Sequence, residues 1–119
     1  MTHKPPSVLI VEDDDDVRES IGEFLADEGY AVTGARHGAE ALEWLHNNPA
    51  PRLILLDVMM PVMNGLAFRD AQLLDRSLAE IPVIVVSAVE RLEDSLKGLP
   101  QVRKPFDLDE LLSSVAGVC

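Results

Sequence analysis

Ser7-Val8-Leu9-Ile10-Val11 runs straight into Glu12-Asp13-Asp14-Asp15-Asp16, and this junction decides how the chain folds. An apolar run without polar alternation suits a β-strand covered on both faces. The acidic run ends it. Beyond it, Val17, Ile21, Phe24 and Leu25 recur at helical spacing, and Gly29 stops the helix. Strand, acidic turn and amphipathic helix make one βα unit.

The same alternation continues outward. Ala31 to Ala35 is a second, weaker strand, followed by a helix marked by Ala41, Leu42 and Leu45 and closed by Asn47, Asn48 and Pro49. Leu53 to Leu56 is a third strand ending at Asp57, and Leu66, Phe68, Leu73 and Leu74 suggest a helix after Gly65. Pro82 to Val86 is a fourth strand ending at Ser87, with a weak, polar fourth helix between Glu90 and Lys97. Gln101 to Lys104 reads as a brief fifth strand. Asp107 and Glu110 form a capping pair for a last helix through Leu111, Leu112 and Val115. Five βα units predict an α/β fold, a doubly wound parallel five-stranded sheet with helices on both faces. Ligands of such sheets bind at the carboxyl ends of the strands, near the switch point in strand order.

Composition narrows the function. With 119 residues, a single domain over 7–119 behind a short arm at 1–6 is expected. Ten Lys and Arg against 21 Asp and Glu leave a net charge of −11, which opposes direct binding to nucleic acid and favours cations and basic surfaces. No apolar run approaches the ~20 residues of a membrane helix, so no membrane insertion is expected. The opening MTHKPPS has no apolar core of a secretory leader, and Cys119 is the single cysteine; both suit a reducing cytoplasm.

The strand ends carry the chemistry. Glu12 and Asp13 follow the first strand, Asp57 ends the third, Ser87 the fourth and Lys104 the fifth. Two carboxylates about 4 Å apart repel by roughly 4 kcal/mol at an effective dielectric constant near 20. Three on one rim must separate, raise a pKa or hold a cation. Hard oxygen donors suit Mg²⁺ or Mn²⁺, and a lysine and a hydroxyl are natural partners of phosphate. The rim therefore reads as a cation-assisted phosphoryl site with a carboxylate nucleophile. His3, His37 and His46 show no ligand spacing, Trp44 reads as packing, and Asp14 to Asp16 read as a solvated face in which Asp15 or Asp16 caps the first helix.

In order, Val8-Leu9-Ile10-Val11-Glu12-Asp13-Asp14, Leu55-Leu56-Asp57 through Met59-Met60-Pro61 to Asn64-Gly65, Val85-Val86-Ser87-Ala88 and Lys104-Pro105-Phe106 resemble the receiver domain of two-component response regulators. The resemblance spans Ser7 to about Ala116 and is strongest from Asp57 to Gly65. It implies a flavodoxin-like (βα)5 fold with strand order 2-1-3-4-5. It implies that Asp57 is the phosphoacceptor, taking its phosphoryl group from a sensor histidine kinase or a histidine phosphotransfer protein. Asp13, Glu12, Asp57 and the Met59 backbone carbonyl would then hold the Mg²⁺. Ser87 and Lys104 would contact the phosphoryl group, and the Lys104-Pro105 bond would be cis. Such a domain signals by contact with a downstream protein or relays phosphate. It catalyses only its own phosphorylation and dephosphorylation and is otherwise no enzyme.

Three departures stand out. Ser87 and Lys104 are 17 residues apart, fewer than is usual, so the fourth helix should be shortened. Gln101 stands where many members carry an aromatic switch residue. Met59 and Val89 carry no polar group to orient a hydrolytic water, so slow self-dephosphorylation is expected. Two alternatives compete. One is a receiver-fold scaffold indifferent to phosphate. The other is a haloacid-dehalogenase-like phosphatase, suggested only by the fit of Asp13 to Val17 to a D-x-D-x-[TV] pattern.

Overall fold

The computed structural model describes residues 5–58, 63–88 and 96–118. Their elements run β1 (Ser7–Val11), α1 (Asp15–Asp27), β2 (Ala31–Ala35), α2 (Gly38–Asn47), β3 (Leu53–Asp57), α3 (Gly65–Leu74), β4 (Val83–Ser87), β5 (Gln101–Arg103) and α4 (Leu108–Val118). The strands form one parallel sheet in the order β2-β1-β3-β4-β5.

Period-two alternation divides the core into two layers. Leu9, Val11, Ile54, Leu56, Val83 and Val85 point to one face, where Ala41 and Leu45 of α2 and Phe68 of α3 cover them. Val8, Ile10, Leu53, Leu55, Ile84 and Val86 point to the other, against Ile21 and Leu25 of α1 and Leu111 and Val115 of α4. Each such aliphatic side chain contributes about 1.5–3 kcal/mol by leaving water. β3 and β4, buried along their whole length, are the apolar strands of the sequence; β2, at the edge, is the weak one.

Local chemistry sets the ends of the elements. The α1 cap is Asp14, not Asp15 or Asp16 as expected. Its Oδ1 accepts the Val17 N–H at 3.1 Å, while Asp15 and Asp16 occupy the first turn. Asp14 sits three residues before that donor, which is the reach an aspartate cap needs. β4 begins at Val83 because Pro82 has no N–H to give; its carbonyl accepts from the Ile54 N–H at 2.9 Å. Asp107 caps the last helix by accepting from the Glu110 N–H at 2.8 Å. The expected fourth helix lies outside the described residues except at its end, where Leu96 is buried.

On α3 the apolar pattern misleads. Leu73 and Leu74 face solvent, Leu74 at 89% exposure, whereas the polar Gln72 is fully buried. Its Nε2 donates to the carbonyls of Leu78 and Ile81 at 2.9 and 3.1 Å, and its Oε1 accepts from Arg69. One amide thus satisfies two carbonyls of the turn that delivers β4 to the core.

His37 is the N-cap of α2, its Nδ1 accepting the Glu40 N–H at 3.2 Å. A protonated imidazole has no lone pair to accept with. We expect His37→Asp, which supplies a permanent acceptor and a charge suited to a helix N-terminus, to stabilise the fold by about 0.5–1 kcal/mol. Urea unfolding checks this; a variant no more stable than the parent would contradict the capping role.

Candidate functional site: an acidic rim on the sheet

Because all five strands are parallel, their carboxyl ends share one edge. Val11 pairs with Leu56, Asp57 with Val86 and Ser87 with Arg103. Register alone therefore brings Glu12, Asp57, Ser87 and Lys104 to one rim. Glu12 is 3% exposed, Asp57 5% and Ser87 0%, whereas Asp13 is open to solvent. Glu12, Asp13 and Asp57 can each present a carboxylate oxygen within 4.8 Å of the other two. Lys104 reaches in from β5, its Nζ 2.7 Å from Glu12 Oε1 and 3.9 Å from Asp57 Oδ2. Its main-chain N–H donates to the Ser87 carbonyl at 2.9 Å, and the Lys104-Pro105 bond is cis.

Two glycines contact the described residues on either side of 59–62, Asp57 and Val58 before them and Met63 after. The Gly65 N–H donates to the Val58 carbonyl at 2.9 Å, and a Cβ there would lie 2.7 Å from both the Asp57 carbonyl oxygen and Val58 Cα. The Gly38 N–H, at the start of α2, donates to the Met63 carbonyl at 3.1 Å, and a Cβ there would lie 2.7 Å from Met63 Cγ. At Gly65 only a hydrogen fits, because the atoms it meets are backbone; at Gly38 a side chain would force the Met63 side chain to shift.

Electrostatics bind the rim together. Burial works against the Glu12 carboxylate, but hydrogen bonding with Asp57 and Lys104, and the lysine's charge, outweigh it and hold the Glu12 pKa below its usual value. Burial also works against the Lys104 ammonium, but the hydrogen bond to Glu12 and the charges of Asp57, Glu12 and Asp13 outweigh it and raise its pKa. Among the described residues, two buried carboxylates and an open third lie around the Lys104 ammonium. Three clustered oxygen donors that exceed their countercharge have the chemistry of a site for a divalent cation.

The structure brings Glu12, Asp13, Asp57, Ser87 and Lys104 to this one rim. Met59 and Val89 lie outside the described residues. Gln101 is half-buried on β5. Arg18 was missed: from α1 its Nη1 donates to the Glu12 carbonyl at 2.9 Å. An arginine one turn into a helix carries no local signal of such a contact. Beside the rim, Val17, Ala88, Lys104, Pro105 and Phe106 line a mostly apolar hollow of about 440 Å³.

The model of the response regulator receiver domain matches residues 8–116. This chain belongs to the receiver domain family. Among its relatives, the response regulator MprA of Mycobacterium sp. (strain KMS) is 37% identical over 114 residues, covering 92% of this chain and 48% of that protein. The response regulator Rre1 of Synechocystis sp. is 34% identical, covering 91% of this chain and 49% of that protein. The chain thus spans about half the length of the curated relatives it matches. The chemotaxis protein CheY4 of Vibrio cholerae superposes with a TM-score of 0.87 at 29% identity, covering 97% of this chain and 99% of that one. TrrA of Thermotoga maritima, a response regulator solved in complex with Mg²⁺-BeF, superposes with a TM-score of 0.85 at 28% identity, covering 96% and 99%. The receiver fold and strand order expected of the sequence are therefore those observed. No helix among the described residues is long and apolar enough to cross a membrane.

The pKa directions fix how the receiver's stability depends on pH. The Glu12 contribution is present above the ordinary value of 4.5 and is lost as pH falls through the lowered one. The Lys104 contribution is present below 10.5 and is lost as pH rises through the raised one. In chelator at pH 7, Lys104→Met should cost roughly 2 kcal/mol, between exposed and buried ion-pair values, because it removes the ammonium paired with the buried Glu12 carboxylate. The cost should shrink as pH falls below 4.5. A cost that does not vary with pH would mean that lost packing, not charge, sets it.

Proposed function

We propose that this receiver takes a phosphoryl group onto Asp57 and that Glu12, Asp13 and Asp57 hold the divalent cation, Mg²⁺ or Mn²⁺, that the transfer requires. The observation that carries this is the convergence of three carboxylates, one ammonium and one buried hydroxyl on a single rim. An Asp57 carboxylate oxygen attacks phosphorus in a donor phosphohistidine. The P–N bond breaks, an acyl phosphate forms, and the departing imidazole takes up a proton. When bound, the cation supplies positive charge to the carboxylates and the phosphoryl oxygens. The Met59 carbonyl is assigned to the same ion on resemblance. Lys104, already 3.9 Å from Asp57 Oδ2, is placed to trade Glu12 for a phosphoryl oxygen. Ser87, at the end of β4, is the hydroxyl donor to the same group.

The phosphodonor is assigned as a sensor histidine kinase or a histidine phosphotransfer protein, and the output as contact with a downstream protein or onward relay of phosphate. The net charge of −11 sets this chain against direct nucleic-acid contact, and a cytoplasmic location is assigned on family resemblance. Phosphorylation adds about −1.5 to −2 charges at a rim already short of countercharge. That imbalance biases the loops around it between two states, with Ser87, Gln101 and Pro105 on the side of the sheet through which the signal leaves.

Intact mass after incubation with a small acyl phosphate and Mg²⁺ tests this. One phosphoryl adduct is expected, lost in Asp57→Asn and in chelator. An adduct that survives Asp57→Asn would assign the wrong acceptor. Complete absence of an adduct, with Mg²⁺ binding intact, would favour a phosphate-indifferent scaffold. Steady turnover of phosphate monoesters would favour a phosphatase.

The lifetime of the adduct is a second test. Because Met59 and Val89, two residues after Asp57 and two after Ser87 in sequence, carry no polar group, the adduct should persist, and polar substitutions at both should shorten its half-life several-fold. Rapid loss that those substitutions do not alter would contradict this.

A further inference from the structure

Arg18 lies outside the carboxylate rim yet touches its frame. The side chain is 16% exposed, and its stem passes close to Gly34 of β2. A Cβ built on Gly34 would lie 2.9 Å from Arg18 Cδ and 3.3 Å from Cγ and Nε, so Gly34 leaves the groove through which the stem passes. At the end of that groove Nη1 donates to the Glu12 carbonyl at 2.9 Å, and Nη2 pairs with the exposed Asp15 carboxylate. The Arg18 main chain closes the same turn, its N–H donating to the Asp14 carbonyl at 2.9 Å. From the other side, the Glu12 N–H donates to the Ala35 carbonyl at 3.0 Å. The Glu12 peptide is thus held by β2 through its N–H and by α1, through Arg18, at its carbonyl.

We propose that Arg18 is a positioning residue for the cation site, acting through the Glu12 carbonyl to fix where the Glu12 and Asp13 carboxylates stand. The proposal rests on the reading that the acidic rim binds a divalent cation. It makes a prediction of unusual sign. Arg18 is a cation beside a cation site, so by charge alone its removal should tighten Mg²⁺ binding. If it positions the ligands, its removal should weaken binding, and outer-shell partners of metal ligands are worth about 10–100-fold in affinity.

Mg²⁺ affinity by titration calorimetry, with melting temperature in chelator as the control on folding, separates the two. Arg18→Met keeps most of the stem and removes the donor; it should weaken Mg²⁺ binding about tenfold. Gly34→Ala keeps the charge but pushes the stem aside, and should weaken binding in the same sense. Arg18→Lys restores one donor and the charge, and should recover most of the affinity. All three should melt within a few degrees of the parent in chelator. Arg18→Met binding Mg²⁺ as tightly as the parent or tighter, or Gly34→Ala binding unchanged, would overturn the proposal and leave the cation site standing. If Arg18→Met fails to fold, Gly34→Ala decides by itself. A parent protein that binds no Mg²⁺ would overturn the cation site and this inference with it.

Discussion

Two carboxylates that are nearly withdrawn from water, a third beside them, and one ammonium to balance them are the constraint on which this molecule turns. Glu12 and Asp57 are buried within reach of each other and of Asp13, and Lys104 is divided between them at 2.7 and 3.9 Å. Like charges held this closely cost several kcal/mol unless a counterion offsets them. The lysine offsets part. The remainder is a standing affinity for positive charge, and it makes the rim responsive to whatever adds or removes charge there.

The rest of the fold serves to keep that cluster in place. A parallel sheet delivers every strand end to the same edge, and the aliphatic layers on its two faces hold the register against the repulsion. Gly65 and Gly38 let backbone approach backbone around the loop that follows Asp57. Gln72 satisfies the turn that leads into β4 and so to Ser87. These are three unrelated devices, a missing side chain, a buried amide and a hydrophobic layer, acting on one geometry. Stability is spent on the site, as is common where charge must be kept ready for chemistry.

Much of this could be read from the residues. Apolar runs ending in Asp57 and Ser87 placed those groups at strand ends because strand period and burial leave few alternatives. The acidic junction after β1 announced the rim. What escaped was side-chain reach. Leu73 and Leu74 carry the apolar signal on α3, but the inward position belongs to Gln72, since a buried amide with two carbonyl partners is as well satisfied as a leucine. Asp14 took the cap that Asp15 or Asp16 was expected to fill, because in a run of identical residues composition cannot say which faces the free N–H groups. His37 at the α2 cap, the His46 Nε2 contact with Asp75 Oδ2 at 3.2 Å and Arg18 on the Glu12 carbonyl all join groups whose meeting depends on tertiary placement. The shortened β4–β5 connection was visible only as a count of residues.

The account stands or falls on where Lys104 goes when charge is added at Asp57. A crystal structure grown with Mg²⁺ and beryllium fluoride would show it directly. The account predicts a trifluoroberyllate adduct, its beryllium bonded to an Asp57 carboxylate oxygen and its fluorides standing in for phosphoryl oxygens, an ion bound by Glu12, Asp13 and Asp57, and Lys104 Nζ moved from Glu12 Oε1 onto the adduct. An adduct at Asp57 with Lys104 still seated on Glu12, or an ion bound away from these three carboxylates, would contradict it.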